Sequence, residues 1–351
     1  MKMTPIEKLH SFYSISMNWK QRIYRFPFLL YIMFQILLVL CFLVNASFAE
    51  RAKDAKEAKV CNILSFSGAG SFGAVEVGIL DRLSSSLPTF DMLTGVSAGG
   101  LNVGFLSYYS VANNTALFVQ GITELKNTYF EMSNDSVFQH NTAQIARTWS
   151  YYDTAPLRKT IETKLAPLSY RGIPTVALIG STNLNTGTFQ IFQFEKESKL
   201  RQIQIMMATS AIPLAFPPEN IQGTYYVDGG AVANEIISGV ESFLAKGCDK
   251  YNFTFITASE GLAQVKTIDS FNDYVRRVVK VVMTDFNNEL AEIIDAPCAI
   301  SSSSKGAIQI CHPSTKGGDY LSKYSSMDFS YGKELYEIGY NYFTCDSYNY
   351  C

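Results

Sequence analysis

Histidine is scarce in this 351-residue chain, and only His10, His140 and His312 occur. No Cys-x-x-Cys pair is present either, so the ligand spacing that builds a zinc site is missing and no metal or other cofactor is expected. Charge of one sign is also lacking: 29 Lys and Arg stand against 31 Asp and Glu, for a net charge of -2, and no long basic run appears. That balance excludes nucleic acid as the main partner. There is no internal repeat. What the chain does have is apolar and aromatic residues, at 47% and 13%, including 21 Tyr and 24 Phe. Such a composition forms a packed core and suits apolar ligands.

A long hydrophobic run occurs once, over residues 26–44, broken only by Pro27 and Gln35. A basic leader precedes it, with Lys2, Lys8, Lys20, Arg22 and Arg25. The run is long for a signal peptide and short for a membrane span. Small residues near Ser47-Phe48-Ala49 favour cleavage, the long leader favours an uncleaved anchor, and both readings stay open. Either one expects a protein of the secretory pathway, anchored by a single pass or secreted, with everything after Glu50 facing the lumen or exterior. Outside the run, Cys61, Cys248, Cys298, Cys311, Cys345 and Cys351 form an even set suited to disulfides. Cys298 with Cys311, and Cys345 with Cys351, are the local pairings that spacing offers. Glycosylation sequons occur at Asn113, Asn134 and Asn252.

The organisation expected is a leader over 1–25, the signal or anchor over 26–49, a charged linker over 50–59, a catalytic domain over 60–296, and a Cys-, Ser- and Tyr-rich extension over 297–351. From Val60 the pattern alternates between strand and helix. Strands are expected over 60–66, 92–96, 175–184, 188–194, 225–227 and 252–258. Helices are expected after residue 73, from Ala98, and over 113–130, 156–165, 200–209, 235–245 and 271–294. The last forty or so residues show no clear periodicity. Alternation of this kind implies an α/β fold with a mostly parallel sheet covered on both faces.

Three motifs carry chemistry. Gly95-Val96-Ser97-Ala98-Gly99 is a G-x-S-x-G pattern, with an apolar strand running into Ser97 and a helix of small residues leaving it. A sharp strand-to-helix turn of this kind holds a serine hydroxyl at a helix N-terminus, which makes Ser97 the candidate nucleophile. Gly68-Ala69-Gly70-Ser71-Phe72-Gly73 follows the first strand and opens the first helix. Read alone it suits a dinucleotide, with Asp91 as the ribose-binding acid. Asp91, however, precedes its strand, whereas that acid belongs at the strand's C-terminal end. The backbone amides of Gly68, Ala69 and Gly70 serve equally as an oxyanion hole. Tyr226-Val227-Asp228-Gly229-Gly230 then supplies a strand-end carboxylate whose glycines allow close approach, so Asp228 is the candidate base.

The order SGAGSFGAVEVGIL, GVSAGGLN, VDGGAVAN resembles the patatin-like phospholipases, as do Tyr152-Asp153-Thr154-Ala155-Pro156-Leu157 and the ATSAIPLAFPP segment. The resemblance runs over roughly 60–259. It implies a three-layer α/β/α sandwich with a mostly parallel central sheet, a Ser97/Asp228 dyad without histidine, and hydrolysis of fatty acyl esters of phospholipids or other glycerolipids. Lipid substrate and a membrane surface are the partners it implies. One departure is Phe72, where the family often carries Arg or Lys; without that cation, phospholipid preference is in doubt. Two alternatives stand beside it: a Ser-His-Asp esterase using His312, and a non-catalytic lipid-binding protein that keeps the elbow as structure.

Overall fold

The computed structural model describes residues 31, 33–40, 59–111, 114–141, 148–236, 240–244, 248–258 and 305–350. The chain divides into two units, Met1–Ala58 and Lys59–Cys351. In the first, residues 31 and 33–40 are helical. Among the described residues no helix is long and apolar enough to cross a membrane; a bilayer core asks for about 20 apolar residues in one helix. The expectation of a secretory-pathway protein anchored by a single pass, with a luminal or extracellular catalytic domain, is corrected accordingly. The leader, the cleavage site and most of the linker lie outside the described residues.

In the second unit a nine-stranded sheet is built from β1 (Val60–Phe66), β2 (Met92–Val96), β3 (Val176–Asn183), β4 (Thr188–Gln193), β5 (Glu219–Ile221), β6 (Thr224–Asp228), β7 (Lys250–Ile256), β8 (Lys305–Pro313) and β9 (Phe343–Tyr350). The spatial order is β9-β8-β7-β1-β2-β3-β6-β5, with β4 paired to β3. Strands β8, β7, β1, β2 and β3 run parallel; β9, β4, β6 and β5 pair antiparallel. The helices that matter here are α1 (Gly73–Leu83), α2 (Ser97–Leu106), α3 (Thr115–Glu131), α4 (Ala155–Leu165), α5 (Lys199–Thr209) and α6 (Gly332–Asn341).

Parallel strands covered on both faces read as nearly continuous apolar runs, because every side chain meets a core. In β1, Leu64 and Phe66 enter one apolar cluster while Cys61 and Ile63 enter another. The first cluster also holds Val75, Ile79 and Leu80 of α1, Val103 and Leu106 of α2, and Ile205 and Met206 of α5. Ile236, Val240, Phe253 and Phe255 belong to the second. The fold is thus an α/β sandwich with a mostly parallel central sheet.

One handover of partners decides where the site lies. β2 pairs with β3 as far as Val96 opposite Gly180, and there β2 ends. On the next residue β6 takes over, with Asp228 opposite Ser181. The residue after Val96 is Ser97. Two segments 131 positions apart in sequence therefore arrive at adjacent points on one strand.

Several expectations differ from what is found. In place of a helix over 235–245, the described residues show a short 3-10 turn at Val240–Ser242. The helix expected over 271–294 lies outside the described residues. The C-terminal stretch without periodicity supplies β8, β9 and α6. Among the described residues the disulfides are Cys61–Cys248 and Cys311–Cys345, replacing the local pairings read from spacing. The antiparallel register sets Cys311 directly opposite Cys345, so the sheet selects the partner. Cys298 and Cys351 lie outside the described residues, as does the sequon at Asn113. The side chains at the other two sequons are engaged in the fold: Asn134 bonds Asp328 and the Phe329 amide, and Asn252 bonds Asn62 and the Ala307 amide.

Candidate active site

Ser97 opens α2 directly from β2 and holds φ at 54°, a left-handed conformation that a non-glycine residue keeps only when its surroundings enforce it. The enforcement is visible. The Ser97 amide donates to Thr209 Oγ1 at 2.8 Å, and Thr209 in turn donates to the Gly180 carbonyl at 2.6 Å. On the other side Gly99 donates its amide to the Ser67 carbonyl at 3.1 Å. A Cβ at Gly99 would stand 2.4 Å from that same oxygen, so only glycine lets the helix start this close to the end of β1.

Ser97 Oγ donates to Asp228 Oδ2 at 2.6 Å. Asp228 is fully buried, its amide donates to the Ala211 carbonyl, and Gly230 donates its amide to the second carboxylate oxygen at 2.9 Å. Burial pushes the Asp228 carboxyl up to about 7, while the Ser97 hydroxyl and the Gly230 amide pull it back down. A carboxyl held there is a far better proton acceptor near neutral pH than an exposed aspartate, and remains ionised in a large fraction of molecules.

The glycine-rich loop lies against this pair. A Cβ built on Gly68 would stand 3.0 Å from the Ser97 Cβ and 2.1 Å from Asn234 Oδ1. Asn234 grips Gly68 from both sides: its carbonyl accepts the Gly68 amide at 3.3 Å and its side-chain amide donates to the Gly68 carbonyl at 3.0 Å. Of the three amides read as oxyanion donors, Gly68 is therefore already engaged. The Ala69 and Gly70 amides have no acceptor among the described residues, and Gly70 shares a cavity wall with Ser97 and Ala98.

That cavity runs from Ser97 between α2, α3 and α4. Its wall is apolar, with Leu101, Phe105, Leu125, Leu157, Ile161 and Phe216, and its far end meets Thr128, Thr160 and Lys164. Lys164 bonds Glu131 across that end at 2.6 Å, tying α4 to α3. The shape and chemistry suit a hydrocarbon chain whose reactive end lies at Ser97.

Other candidates from the sequence lie elsewhere. His312 sits on β8, bonded to the Pro313 carbonyl and to Asp346 at 3.2 Å, and lines no part of this cavity. Asp91 lies at the start of β2, accepting the Asn62 amide at 2.8 Å, at the end of the strand remote from Ser97. Phe72 is fully buried in the core and so presents nothing to a ligand. Sequence reasoning missed Thr209 and Asn234. Both sit in segments quoted for the resemblance, in ATSAIP and at the end of VDGGAVAN, but each acts through two long-range hydrogen bonds that no local pattern encodes.

Comparison with known proteins places these features in a group. A family model described as patatin-like phospholipase matches residues 64–240. Curated proteins similar to this chain include cGAMP-activated phospholipases of Escherichia coli and Vibrio cholerae. The first is 27% identical over 197 residues, covering 49% of this chain and 52% of the relative. The second is 27% identical over 197 residues, covering 49% and 54%. The chain thus spans about half the length of the curated relatives it matches. Among solved structures, VipD from Legionella pneumophila aligns with a TM-score of 0.35 at 12% identity, over 83% of this chain and 68% of VipD.

Proposed function

The chain belongs to the patatin-like phospholipase family, and from that premise we propose that it is a serine lipid acyl hydrolase working through a Ser97/Asp228 dyad. The observation that carries this reading is the direct 2.6 Å bond from Ser97 Oγ to a buried Asp228 carboxylate. In the cycle, Asp228 accepts the hydroxyl proton as Ser97 Oγ bonds to the ester carbonyl carbon. The carbonyl oxygen becomes an oxyanion, held by the Ala69 and Gly70 amides. Its collapse breaks the bond to the alcohol, which leaves with the proton from Asp228, and an acyl-enzyme remains. Water, giving its proton to Asp228, then attacks the acyl carbon; the fatty acid is released and the proton returns to Ser97.

The substrates proposed are fatty acyl esters of phospholipids or other glycerolipids, the chain lying in the apolar cavity. A membrane surface is the proposed partner. Trp149 and Leu214 support it, since both large apolar side chains are more than half exposed and both hold positive φ. The loops carrying them are joined by the Tyr151 amide on the Leu214 carbonyl, and the cavity-lining Ile212 and Phe216 flank Leu214. A polar surface gives no reason to hold such residues outward, whereas a lipid interface does.

The test is labelling by a fluorophosphonate probe together with mass-spectrometric detection of fatty acids released from a mixed lipid extract. Wild-type protein is expected to label and to release fatty acid, and Ser97→Ala to do neither. Because the curated relatives are named for activation by cGAMP, both assays are run with and without that nucleotide. A folded wild type that stays unlabelled and inactive under both conditions overturns the reading in favour of a non-catalytic lipid binder.

A further inference from the structure

Behind the oxyanion loop lies a buried polar cluster that the cycle above does not use. Glu76, in the first turns of α1, is fully buried. Its Oε1 pairs with Ser67 Oγ at 2.9 Å, and Ser67 Oγ also stands 3.0 Å from Thr257 Oγ1. Its Oε2 accepts from Asn102 Nδ2 at 3.1 Å, and Asn102 Oδ1 accepts the Tyr129 hydroxyl at 2.8 Å. Ser67 is the residue immediately before Gly68. Asn102 lies on α2, five positions beyond Ser97.

A carboxyl group buried this deeply is destabilising unless its hydrogen bonds hold something in place, and an apolar residue of similar size would fill the same core at less cost. Here the two oxygens reach two different working parts. We infer that Glu76 is a positioning residue: its carboxyl brackets the loop that presents the oxyanion amides to the helix that carries the nucleophile. This rests on the hydrolase reading and goes beyond it, since it concerns what holds the amides at the right distance from Ser97. The loop's other ties here include the Gly99 amide on the Ser67 carbonyl, Asn102 Nδ2 on the Gly73 carbonyl at 3.4 Å, and two hydrogen bonds between Gly68 and Asn234. A loop that loses one of these ties has more room to drift, and small misplacement of oxyanion donors is expensive in rate.

Its surroundings favour the uncharged form of the bracket. Burial pushes the Glu76 carboxyl well above the usual carboxylate range; Ser67 and Asn102 oppose this, and the Glu235 carboxyl adds to it. The groups facing it are Ser67 at the end of β1, Asn102 on α2, Tyr129 on α3 through Asn102, and Glu235 through space, with no cation acting on it among the described residues. A neutral glutamic acid has a close mimic in glutamine, which accepts from Asn102 through its oxygen and donates to Ser67 through its nitrogen.

The experiment measures kcat and KM separately on a soluble p-nitrophenyl ester, with thermal unfolding alongside. Glu76→Ala is expected to lower kcat by about ten- to a hundred-fold with KM within about two-fold, the pattern of weakened transition-state contacts, and Glu76→Gln to recover kcat to within about three-fold of wild type. A Glu76→Ala enzyme within about two-fold of wild-type kcat, or a Glu76→Gln enzyme as impaired as the alanine variant, overturns the inference. Should Glu76→Ala fail to fold, Ser67→Ala cuts only the loop side of the bracket: a loss of about ten-fold in kcat at unchanged KM supports the inference, and a loss under about two-fold overturns it. Wild-type protein that neither hydrolyses the ester nor labels at Ser97, with and without cGAMP, overturns the hydrolase reading and the inference together. Hydrolysis that is indifferent to Glu76 overturns the inference alone.

Discussion

Replacing Asp228 by asparagine tests the electrostatics of the site without disturbing its shape. The carboxyl is raised from 3.8 to about 7 by burial, so between those values the folded protein keeps a proton that the unfolded chain has released. The unfolded state then binds fewer protons than the native state, and the sign of the linkage makes stability fall as pH rises through this window. The contribution is fully present below pH 3.8 and lost above about 7. At 1.36 kcal/mol per pH unit the whole displacement corresponds to about 4 kcal/mol. Asparagine never ionises, keeps one oxygen for the Gly230 amide, and avoids that loss.

Urea unfolding of wild type and Asp228→Asn at several pH values from 5 to 9 is the assay, because every other titrating group cancels in the difference. The variant's advantage is expected to grow by about 1.4 kcal/mol per pH unit up to pH 7 and then level off. Over the same range the variant is expected to lose hydrolysis by on the order of a thousand-fold or more, and wild-type kcat/KM to rise through pH 7 as the base ionises. A stability difference that stays flat across the whole range refutes the argument. Asp228 would then be an ordinary ionised carboxylate, and burial would not be what makes it a base.

Gly68→Ala is expected to lower kcat by about a hundred-fold or more, because the new methyl group meets Asn234 Oδ1 at 2.1 Å and forces apart the clamp on the oxyanion loop. Ester hydrolysis measured beside thermal unfolding checks this, and a variant with wild-type turnover would show that the loop's placement is immaterial. His312→Ala should keep at least about half of the activity and change stability by less than about 1 kcal/mol, since the ring only pairs with Asp346 near the surface. Near-complete loss of hydrolysis in that variant would restore a Ser-His-Asp triad.

Much of this fold is legible wherever the signal is local. β1 and β2 are largely apolar runs because both their faces are covered, and the sharp turn at Ser97 is marked by the glycines the backbone needs there. The edges of the sheet are less legible. β8 and β9 carry Lys305, His312, Asp346 and Asn349 among their residues, so their alternation is weak, and they become strands by pairing with β7 and with each other. Disulfide partners follow that pairing rather than spacing, which is why Cys311 meets Cys345 across the sheet.

At the site itself the same division holds, and it explains why residue names and residue behaviour come from different sources. Motif spacing names Ser97 and Asp228, but their meeting depends on β6 replacing β2 along β3 at Gly180 and Ser181, which is a fact of topology. Glu76 is hidden for a related reason. An acidic residue in a helix is expected to face water, yet α1 is buried on every side from Gly73 to Leu80, so its amphipathic pattern is absent and the acid turns inward. Sequence alone assigns any aspartate or glutamate its exposed acidity, near 4. Removal from water is what raises the carboxyls of Asp228 and Glu76 above that range, and burial of that extent is a property of the assembled sandwich rather than of any segment within it.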